Sequence, residues 1–197
     1  MNVFLDIETY SSVDLAEAGV TKYAASPDFE ILMLAYAVGE GPVQVIDFTG
    51  IPDPRRTLYL KLSAWMDAGD TLIAYNASFE YTCLRAWLQA LADEEWQYRL
   101  LERTQCAMAQ AAYCGLPIGL AATGSALGLD SDKQKLAIGR KLIDVFCKPS
   151  KKALAGARVM PAQEPEKWAL FLDYCKQDVE AERAIHQALQ GHGTPEE

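Results

Sequence analysis

The chain has 197 residues, of which 50% are hydrophobic and 23% charged. This composition is typical of a folded globular protein and excludes a disordered one, and the length fits one domain with a substantial core. No apolar run approaches the ~20 residues of a membrane-spanning helix, and the N-terminus lacks the pattern of a secretory signal. Five cysteines without C-x-x-C spacing argue against a disulfide framework or a zinc knuckle. We therefore expect a cytoplasmic protein without a membrane partner.

The net charge of −9 is unevenly distributed along the chain. Residues 133–158 contain eight basic side chains and a single acid, Asp144. A basic stripe on an acidic protein can bind a polyanion, and divalent cations bound elsewhere would offset part of the acidic remainder. The alternative interpretation of this segment is a solvated helix face followed by a loop.

The first half of the chain is predicted to combine strands and helices. Three strands joined by short connections indicate an antiparallel meander, and strand–helix alternation afterwards indicates parallel strands in the same sheet. The predicted strands are Val3–Thr9, Phe29–Val38, Val43–Phe48 and Thr71–Tyr75, and the predicted helices are Leu15–Ala18, Arg55–Met66 and Ala77–Leu91.

From Thr104 onward the chain is predicted to be helical. The candidate helices are Gln105–Tyr113, Leu120–Leu127, Gln134–Phe146, Glu164–Asp173 and Tyr174–Leu189, the last two open to being continuous. The fold class is thus a mixed α/β sheet flanked by helices, in one domain over residues 1–190. Residues 191–197 are expected to be a frayed tail.

Two carboxylates interrupt the first predicted strand. Asp6 and Glu8 are two residues apart, so on a strand they point to the same side. An exposed edge strand would also show this pattern. Here, however, the surrounding Val3, Phe4, Leu5 and Ile7 indicate a strand that is covered on both faces. Because two buried like charges repel, the pair suggests a divalent metal site.

Two further places carry polar residues where packing alone does not require them. Asn76 and Glu80 follow the fourth predicted strand, where Asn76 could cap the next helix and Glu80 would be favoured by its dipole. In open α/β sheets, ligands bind at the carboxyl ends of strands, so Glu80 is placed to meet Asp6 and Glu8 if their strands are neighbours. Tyr174 and Asp178 are four residues apart and share a helix face, either as a structural hydrogen-bonded pair or as site residues.

The histidine content excludes several other kinds of site. Only His186 and His192 occur, both near the C-terminus, which disfavours a serine or cysteine hydrolase triad and a histidine-rich zinc site. The phosphate-binding glycine patterns of nucleotide-binding folds are absent from the sequence. The remaining chemistry is that of four carboxylates, Asp6, Glu8, Glu80 and Asp178, a ligand set that suits Mg²⁺ or Mn²⁺. Two such ions would support an in-line displacement at phosphorus.

These motifs resemble the DEDD superfamily of 3′–5′ exonucleases, which have a ribonuclease H-like fold. Phe4-Leu-Asp6-Ile-Glu8-Thr9 looks like the first motif of that family, Asn76-x-x-x-Glu80 like the second, and Tyr174-x-x-x-Asp178 like the third. The match is to the tyrosine branch, since the histidine branch would need a histidine where this chain has Asp173. Phrases such as Ala-Tyr-Asn76-Ala-Ser-Phe-Glu80 most resemble the proofreading portion of phage-type family A DNA polymerases.

The resemblance implies a two-metal-ion exonuclease that releases nucleoside monophosphates from single-stranded DNA 3′ ends. Asp6, Glu8 and Asp178 would bind the first ion, Asp6 and Glu80 the second, and Tyr174 would position the attacking water. Thr9 and Asn76 are weaker candidates for contacts with the terminal nucleotide. The basic side chains would follow the incoming strand: Lys133, Lys135, Arg140, Lys141, Lys148, Lys151 and Lys152. A monomer is expected in DNA replication, either as a free-standing exonuclease or with a polymerase domain or subunit as the partner.

One departure from the family pattern concerns Glu80, where the second motif usually has aspartate. The glutamate arm is about one methylene longer, which puts the second metal position in question. Two alternatives therefore stay open. One is a ribonuclease of the same fold, because the sequence does not decide the sugar. The other is a nucleic-acid-binding module without catalysis.

Overall fold

A single mixed sheet forms the centre of the computed structural model, which describes residues 1–129, 133–150 and 158–192. Its strands are β1 (Asn2–Tyr10), β2 (Glu30–Val38), β3 (Gln44–Asp47), β4 (Thr71–Ala74) and β5 (Thr104–Cys106). The helices are α1 (Leu15–Ala18), α2 (Val20–Ala24), α3 (Pro54–Asp67), α4 (Ala77–Leu88), α5 (Glu94–Arg103), α6 (Ala107–Tyr113), α7 (Leu120–Ala126), α8 (Lys133–Phe146) and α9 (Pro165–Ala188).

The strand order in the sheet is β3-β2-β1-β4-β5. The pairs β1–β2 and β2–β3 are antiparallel, whereas β1–β4 and β4–β5 are parallel. The predicted fold class, a three-strand meander extended by parallel strands and flanked by helices, is therefore confirmed. The arrangement is compatible with a ribonuclease H-like fold.

Strand β1 lies in the middle of the sheet and is covered on both faces. Val3, Leu5 and Ile7 pack into the core that contains residues of α2 to α5, whereas Phe4 packs into the core formed with α8 and α9. Because side chains alternate along a strand, Asp6 and Glu8 belong to the side of Phe4. The pairing register with β2 shifts between Glu8 and Thr9, so a bulge follows the second carboxylate directly.

The last helix is continuous over 24 residues. The sequence had left open whether this region forms one helix or two. Pro165 occupies its first turn, where proline is tolerated, and no glycine or further proline interrupts it. Its buried positions include Trp168, Phe171, Cys175 and Val179, which follow helical spacing. One stiff element therefore carries both Tyr174 and Asp178.

Two elements between residues 94 and 106 depart from the prediction. Helix α5 had not been predicted, although Asp93 caps it by accepting a hydrogen bond from the Trp96 backbone N–H at 2.8 Å. Strand β5 occupies Thr104–Cys106, where the sequence had predicted helix from Gln105. A three-residue strand has too little alternation to be recognised and exists because it pairs with β4. The helix after β4 also ends at Leu88, three residues before the predicted Leu91.

All five cysteines are free thiols. Within the described parts of the chain, no helix has both the length and the apolar character to cross a membrane. Residues 193–197, which make up most of the predicted frayed tail, lie outside the described residues.

Candidate metal centre

The four predicted carboxylates come from three elements that meet at one end of the central strands. Asp6 and Glu8 project from β1, and Glu80 lies in the first turn of α4, directly after β4. Asp178 lies in the middle of α9, which packs across β1 and β2. Residues far apart in sequence are thus brought to one region because β1 is paired with β4 and covered by α9.

The tightest group of potential ligand atoms involves both acids of β1. One oxygen of Asp6, one oxygen of Glu8 and Sγ of Cys175 all lie within 4.8 Å of one another. Glu80 and Asp178 lie outside this group but are close enough for their charges to act on its members. Among the described residues, the acids therefore form one electrostatically connected cluster.

Burial dominates the electrostatics of this cluster. Desolvation, followed by the charge of Asp178, raises the pKa of Asp6 to about 8. Burial and then the charge of Asp6 raise the pKa values of Glu8 and Glu80 well above their ordinary range. Desolvation also raises the pKa of Asp178 to about 6. Without a cation, the folded protein therefore favours protons on these carboxyls.

Tyr174 and Asp178 form the hydrogen-bonded pair that their spacing allowed. The Tyr174 hydroxyl donates to the Asp178 carboxylate, which opposes the effect of burial on the pKa of Asp178. The tyrosine ring packs against α8 at Gly139, where an added Cβ would lie 2.0 Å from Cε2 of the ring. The absence of a side chain at Gly139 is therefore what leaves room for Tyr174.

Two thiols, which the sequence analysis had not assigned to the site, approach the acids of β1. Sγ of Cys175 donates to Oδ2 of Asp6 at 3.4 Å, and Sγ of Cys147 donates to Oε2 of Glu8 at 3.8 Å. Burial raises the pKa of both thiols well above the usual range, and the nearby carboxylates raise it further. In the metal-free protein the sulfurs are thus protonated and donate to the carboxyl groups of β1.

A fifth buried acid, Glu182, was also missed by the sequence analysis. It is 1% exposed, lies one helical turn after Asp178, and is within reach of the charges of Asp6 and Glu80. Its position continues the four-residue spacing of Tyr174 and Asp178, a signal that could have identified it. Its Oε1 atom and Oε2 of Glu80 are both buried without a hydrogen-bond partner among the described residues.

The donor set fits hard divalent cations. Unpartnered buried carboxylate oxygens are costly unless a proton or a cation compensates them. All-oxygen ligation by carboxylates is what Mg²⁺ and Mn²⁺ prefer. The crowding of the acids and the unpartnered oxygen of Glu80 are therefore consistent with the predicted pair of metal ions.

A cleft of about 410 Å³ opens beside Glu8, lined by Thr9, Ser11, Phe79, Ile143 and Lys148 among others. Thr9 is buried, and its hydroxyl is already hydrogen-bonded to the Tyr23 hydroxyl at 2.8 Å. Asn76 occupies the N-cap position of α4 but makes no capping hydrogen bond with its side chain, which is exposed. Capping therefore does not account for Asn76.

The predicted strand-binding residues are described only in part. Arg140 and Lys141 are exposed on α8. Lys148 is ion-paired with Asp144 at 2.7 Å. Lys151 and Lys152 lie outside the described residues, as do the side chains of Lys133 and Lys135. The two exposed cations therefore lie on the helix whose Gly139 contacts the ring of Tyr174.

Comparison with known proteins gives one extensive sequence relative. The chain is 41% identical over 190 residues to a DNA polymerase of Bacillus phage SP02, a match that covers 94% of this chain and 27% of that polymerase. The chain thus spans about a quarter of the length of that relative. No family model matches the chain.

A solved structure with a partial likeness is that of the yeast NOT1 MIF4G domain co-crystallized with CAF1. The sequence identity is 11%, the match covers 68% of this chain and 71% of the other, and the TM-score is 0.43. A likeness at that level supports no conclusion about fold or function.

Proposed function

We propose that this chain is a metal-dependent 3′–5′ exonuclease that acts as the proofreading part of a DNA polymerase. It would hydrolyse single-stranded DNA from the 3′ end and release nucleoside monophosphates. The observation that carries the proposal is the convergence of Asp6, Glu8, Glu80 and Asp178 beside the Tyr174 hydroxyl. The similarity to a phage DNA polymerase supports DNA, rather than RNA, as the substrate.

The acids would hold two divalent cations. Asp6, Glu8 and Asp178 are the candidates for the first ion, and Asp6 with Glu80 for the second. When bound, the cations supply positive charge that keeps the acids ionised, activates water and stabilises the oxygens of the displacement at phosphorus. The buried, unpartnered oxygen of Glu80 is available for such a role.

Tyr174 would orient the attacking water rather than deprotonate it. Burial, followed by the charges of Asp178 and Glu8, raises the pKa of Tyr174 above its already high ordinary value. The hydroxyl therefore stays protonated at neutral pH, donates its hydrogen to Asp178, and keeps its oxygen free to accept a hydrogen bond from the water. A phenol held by Asp178 on one side and by Gly139 on the other has a fixed position.

The DNA strand would enter over α8. The cleft beside Glu8 has a volume within the range of about 300–1,000 Å³ that small-molecule pockets have, enough for a terminal nucleotide. Phe79 and Ile143 offer apolar surface to a base, Thr9 also lines the cleft, and Asn76 is exposed at the start of α4. Arg140 and Lys141 would contact the phosphates that follow.

The test is a degradation assay on single-stranded DNA labelled at its 5′ end. With Mg²⁺ or Mn²⁺ we expect stepwise shortening from the 3′ end, which stops on chelation of the metal. Asp6→Asn should reduce cleavage to the level of a reaction without protein, while DNA binding persists. Asp173→Asn is the matched control, because Asp173 is exposed on α9 and paired with Lys176. It should cleave like the unmodified protein.

Each outcome distinguishes the proposal from an alternative. Full-length DNA after long incubation, with salt-sensitive binding retained, would indicate a binding module without catalysis. Faster shortening of a matched RNA oligomer than of the DNA would indicate a ribonuclease.

A further inference from the structure

Glu182 is the acid that the proposed two-cation centre has not yet used. It lies on α9 four residues after Asp178 and eight after Tyr174, so the three side chains share one helix face. It is 1% exposed, which is rare for a glutamate without a charged partner. Among the ion pairs of the described residues, none involves Glu182 or Glu80.

The contacts of Glu182 account for only part of its carboxylate. The backbone N–H of Tyr75 donates to it, which ties α9 to the connection between β4 and α4. Its Oε1 atom has no partner among the described residues. A glutamine would accept the same hydrogen bond from Tyr75 without a buried charge, so the structural role does not require an acid.

The unpartnered Oε1 atom of Glu182 belongs to the same cluster as a second unpartnered oxygen, Oε2 of Glu80. Glu80 is 4% exposed, its Oε2 atom is also unpartnered, and the charges of Asp6 and Glu80 both act on Glu182. Glu80 stands where the resembling family has the shorter aspartate, so its carboxylate extends further from α4. Two buried acids with unpartnered oxygens in one cluster are stabilised when they share a cation.

We propose that Glu182 is an additional metal ligand, which together with Glu80 and Asp6 holds the second divalent cation. The inference rests on the proposed two-cation centre and adds a ligand from α9 to it. It explains why an acid occupies a buried position whose hydrogen bond does not need one. It also provides a partner for the longer side chain at position 80.

The experiment is a calorimetric titration of the full chain with Mn²⁺, without nucleic acid. The unmodified protein should bind two ions. Glu182→Gln preserves the shape of the side chain and the hydrogen bond from Tyr75. It should lower the affinity for the second ion by about tenfold or more, the size expected for changes around a metal site. Glu166→Gln is the matched control, because it removes the same charge from an exposed position of the same helix. It should bind like the unmodified protein.

A double variant tests whether Glu80 and Glu182 hold the same ion. If they do, Glu80→Gln and Glu182→Gln should each lower the affinity for the second ion. The double variant should then lose little more affinity than the weaker-binding single variant. Additive losses would mean that the two residues act independently and would overturn the proposal.

A stability measurement separates a ligand from a merely structural residue. Without metal, Glu182→Gln should melt at or above the temperature of the unmodified protein, because the neutral glutamine avoids the cost of burying an acid beside other acids. With saturating Mn²⁺, its melting temperature should rise by less than that of the unmodified protein.

The remaining outcomes tell this inference apart from the proposed function. If Glu182→Gln binds both ions with unchanged affinity while the unmodified protein cleaves DNA, only the role of Glu182 is wrong. If the unmodified protein binds no Mn²⁺ and does not cleave, both proposals fail.

Discussion

The hydrogen bond from the Tyr174 hydroxyl to Asp178 connects the aromatic face of α9 to the acidic cluster. Tyr174→Phe keeps the ring packed between Phe171 and Gly139 and removes only the hydroxyl. We expect the turnover number on single-stranded DNA to fall about a hundredfold, the size of the loss when a reactant is misplaced. Mn²⁺ affinity, measured in parallel, should stay within about threefold, because no carboxylate has changed. Equal turnover in both proteins would contradict the role of the hydroxyl.

The crowding of acids around Asp6 gives the metal-free protein a defined pH dependence. The pKa of Asp6 is raised from 3.8 to about 8 and that of Asp178 from 3.8 to about 6. Between pH values of about 4 and about 8, the folded state therefore binds more protons than the unfolded chain. Its free energy of unfolding should therefore fall as the pH rises from about 4 to about 8. Melting temperatures in a chelator across this range check the sign, and Mn²⁺ should flatten the dependence.

The variant Asp6→Asn tests whether the crowding of acids around Asp6 causes this pH dependence. In the chelator at pH 8 the variant should be more stable than the unmodified protein by about 1–2 kcal/mol, since it removes one member of a buried group of like charges. At pH 5, where the carboxyl of Asp6 is already protonated in the folded state, the difference should shrink. A variant that is less stable at both pH values would contradict this account of the cluster.

Part of the site follows from local spacing and was therefore accessible to sequence reasoning. The two-residue period of a strand puts Asp6 and Glu8 on one side, and the four-residue spacing on a helix pairs Tyr174 with Asp178. Their meeting depends on the pairing of β1 with β4, which the sequence left as a condition, and on the packing of α9, which only the resemblance to a known family suggested. The thiol of Cys175 was not recognised, because its significance comes from its distance to Asp6 and not from its neighbours in sequence.

At the scale of elements, the prediction succeeded where the apolar pattern is long and failed where pairing decides. Strand β2 has nine residues of nearly continuous burial and was predicted within one residue. Strand β5 has three residues and is extended because Leu72, Ile73 and Ala74 of β4 pair with it. The sequence left the continuity of α9 open, and the structure shows one helix whose buried residues Phe171 and Cys175 lie on either side of Asp173 and Tyr174.

The packing of α8 against α9 can be tested at Gly139, which contacts the ring of Tyr174. Gly139→Ala would place a Cβ 2.0 Å from the Tyr174 ring, so the ring must move. We expect a loss of about 1–3 kcal/mol in stability from overpacking, and a fall in turnover larger than this loss explains because the hydroxyl leaves Asp178. Circular dichroism should show the fold retained.

Gly124→Ala on α7 is the control for the glycine change itself. Gly124 is also a buried helical glycine, but a Cβ there would meet no atom within 4 Å. It should keep full turnover and gain slightly in stability, because alanine favours helix. If both variants lose activity alike, the packing of Gly139 on Tyr174 is not the cause.

At the scale of the whole molecule, charge is divided between an acidic body and a basic segment. The chain carries −9 overall, yet residues 133–158 hold eight of its 18 basic side chains. Of these, Arg158 is already used internally, because it pairs with Glu30 and lies 4.4 Å from the centroid of the Tyr10 ring. Arg140 and Lys141 are exposed on the helix next to Tyr174 and are the better candidates for phosphate contacts.

Salt dependence tests this division of charge. For single-stranded DNA, each phosphate contact contributes about 0.7 to the slope of log affinity against log salt. Arg140→Ala and Lys141→Ala should each weaken binding at low salt and reduce the slope by about that amount. Arg56→Ala, an exposed cation on α3 on the other side of the sheet, should leave both quantities unchanged. If all three variants shift binding equally, the net charge of the protein governs DNA binding, and α8 does not form the path of the strand.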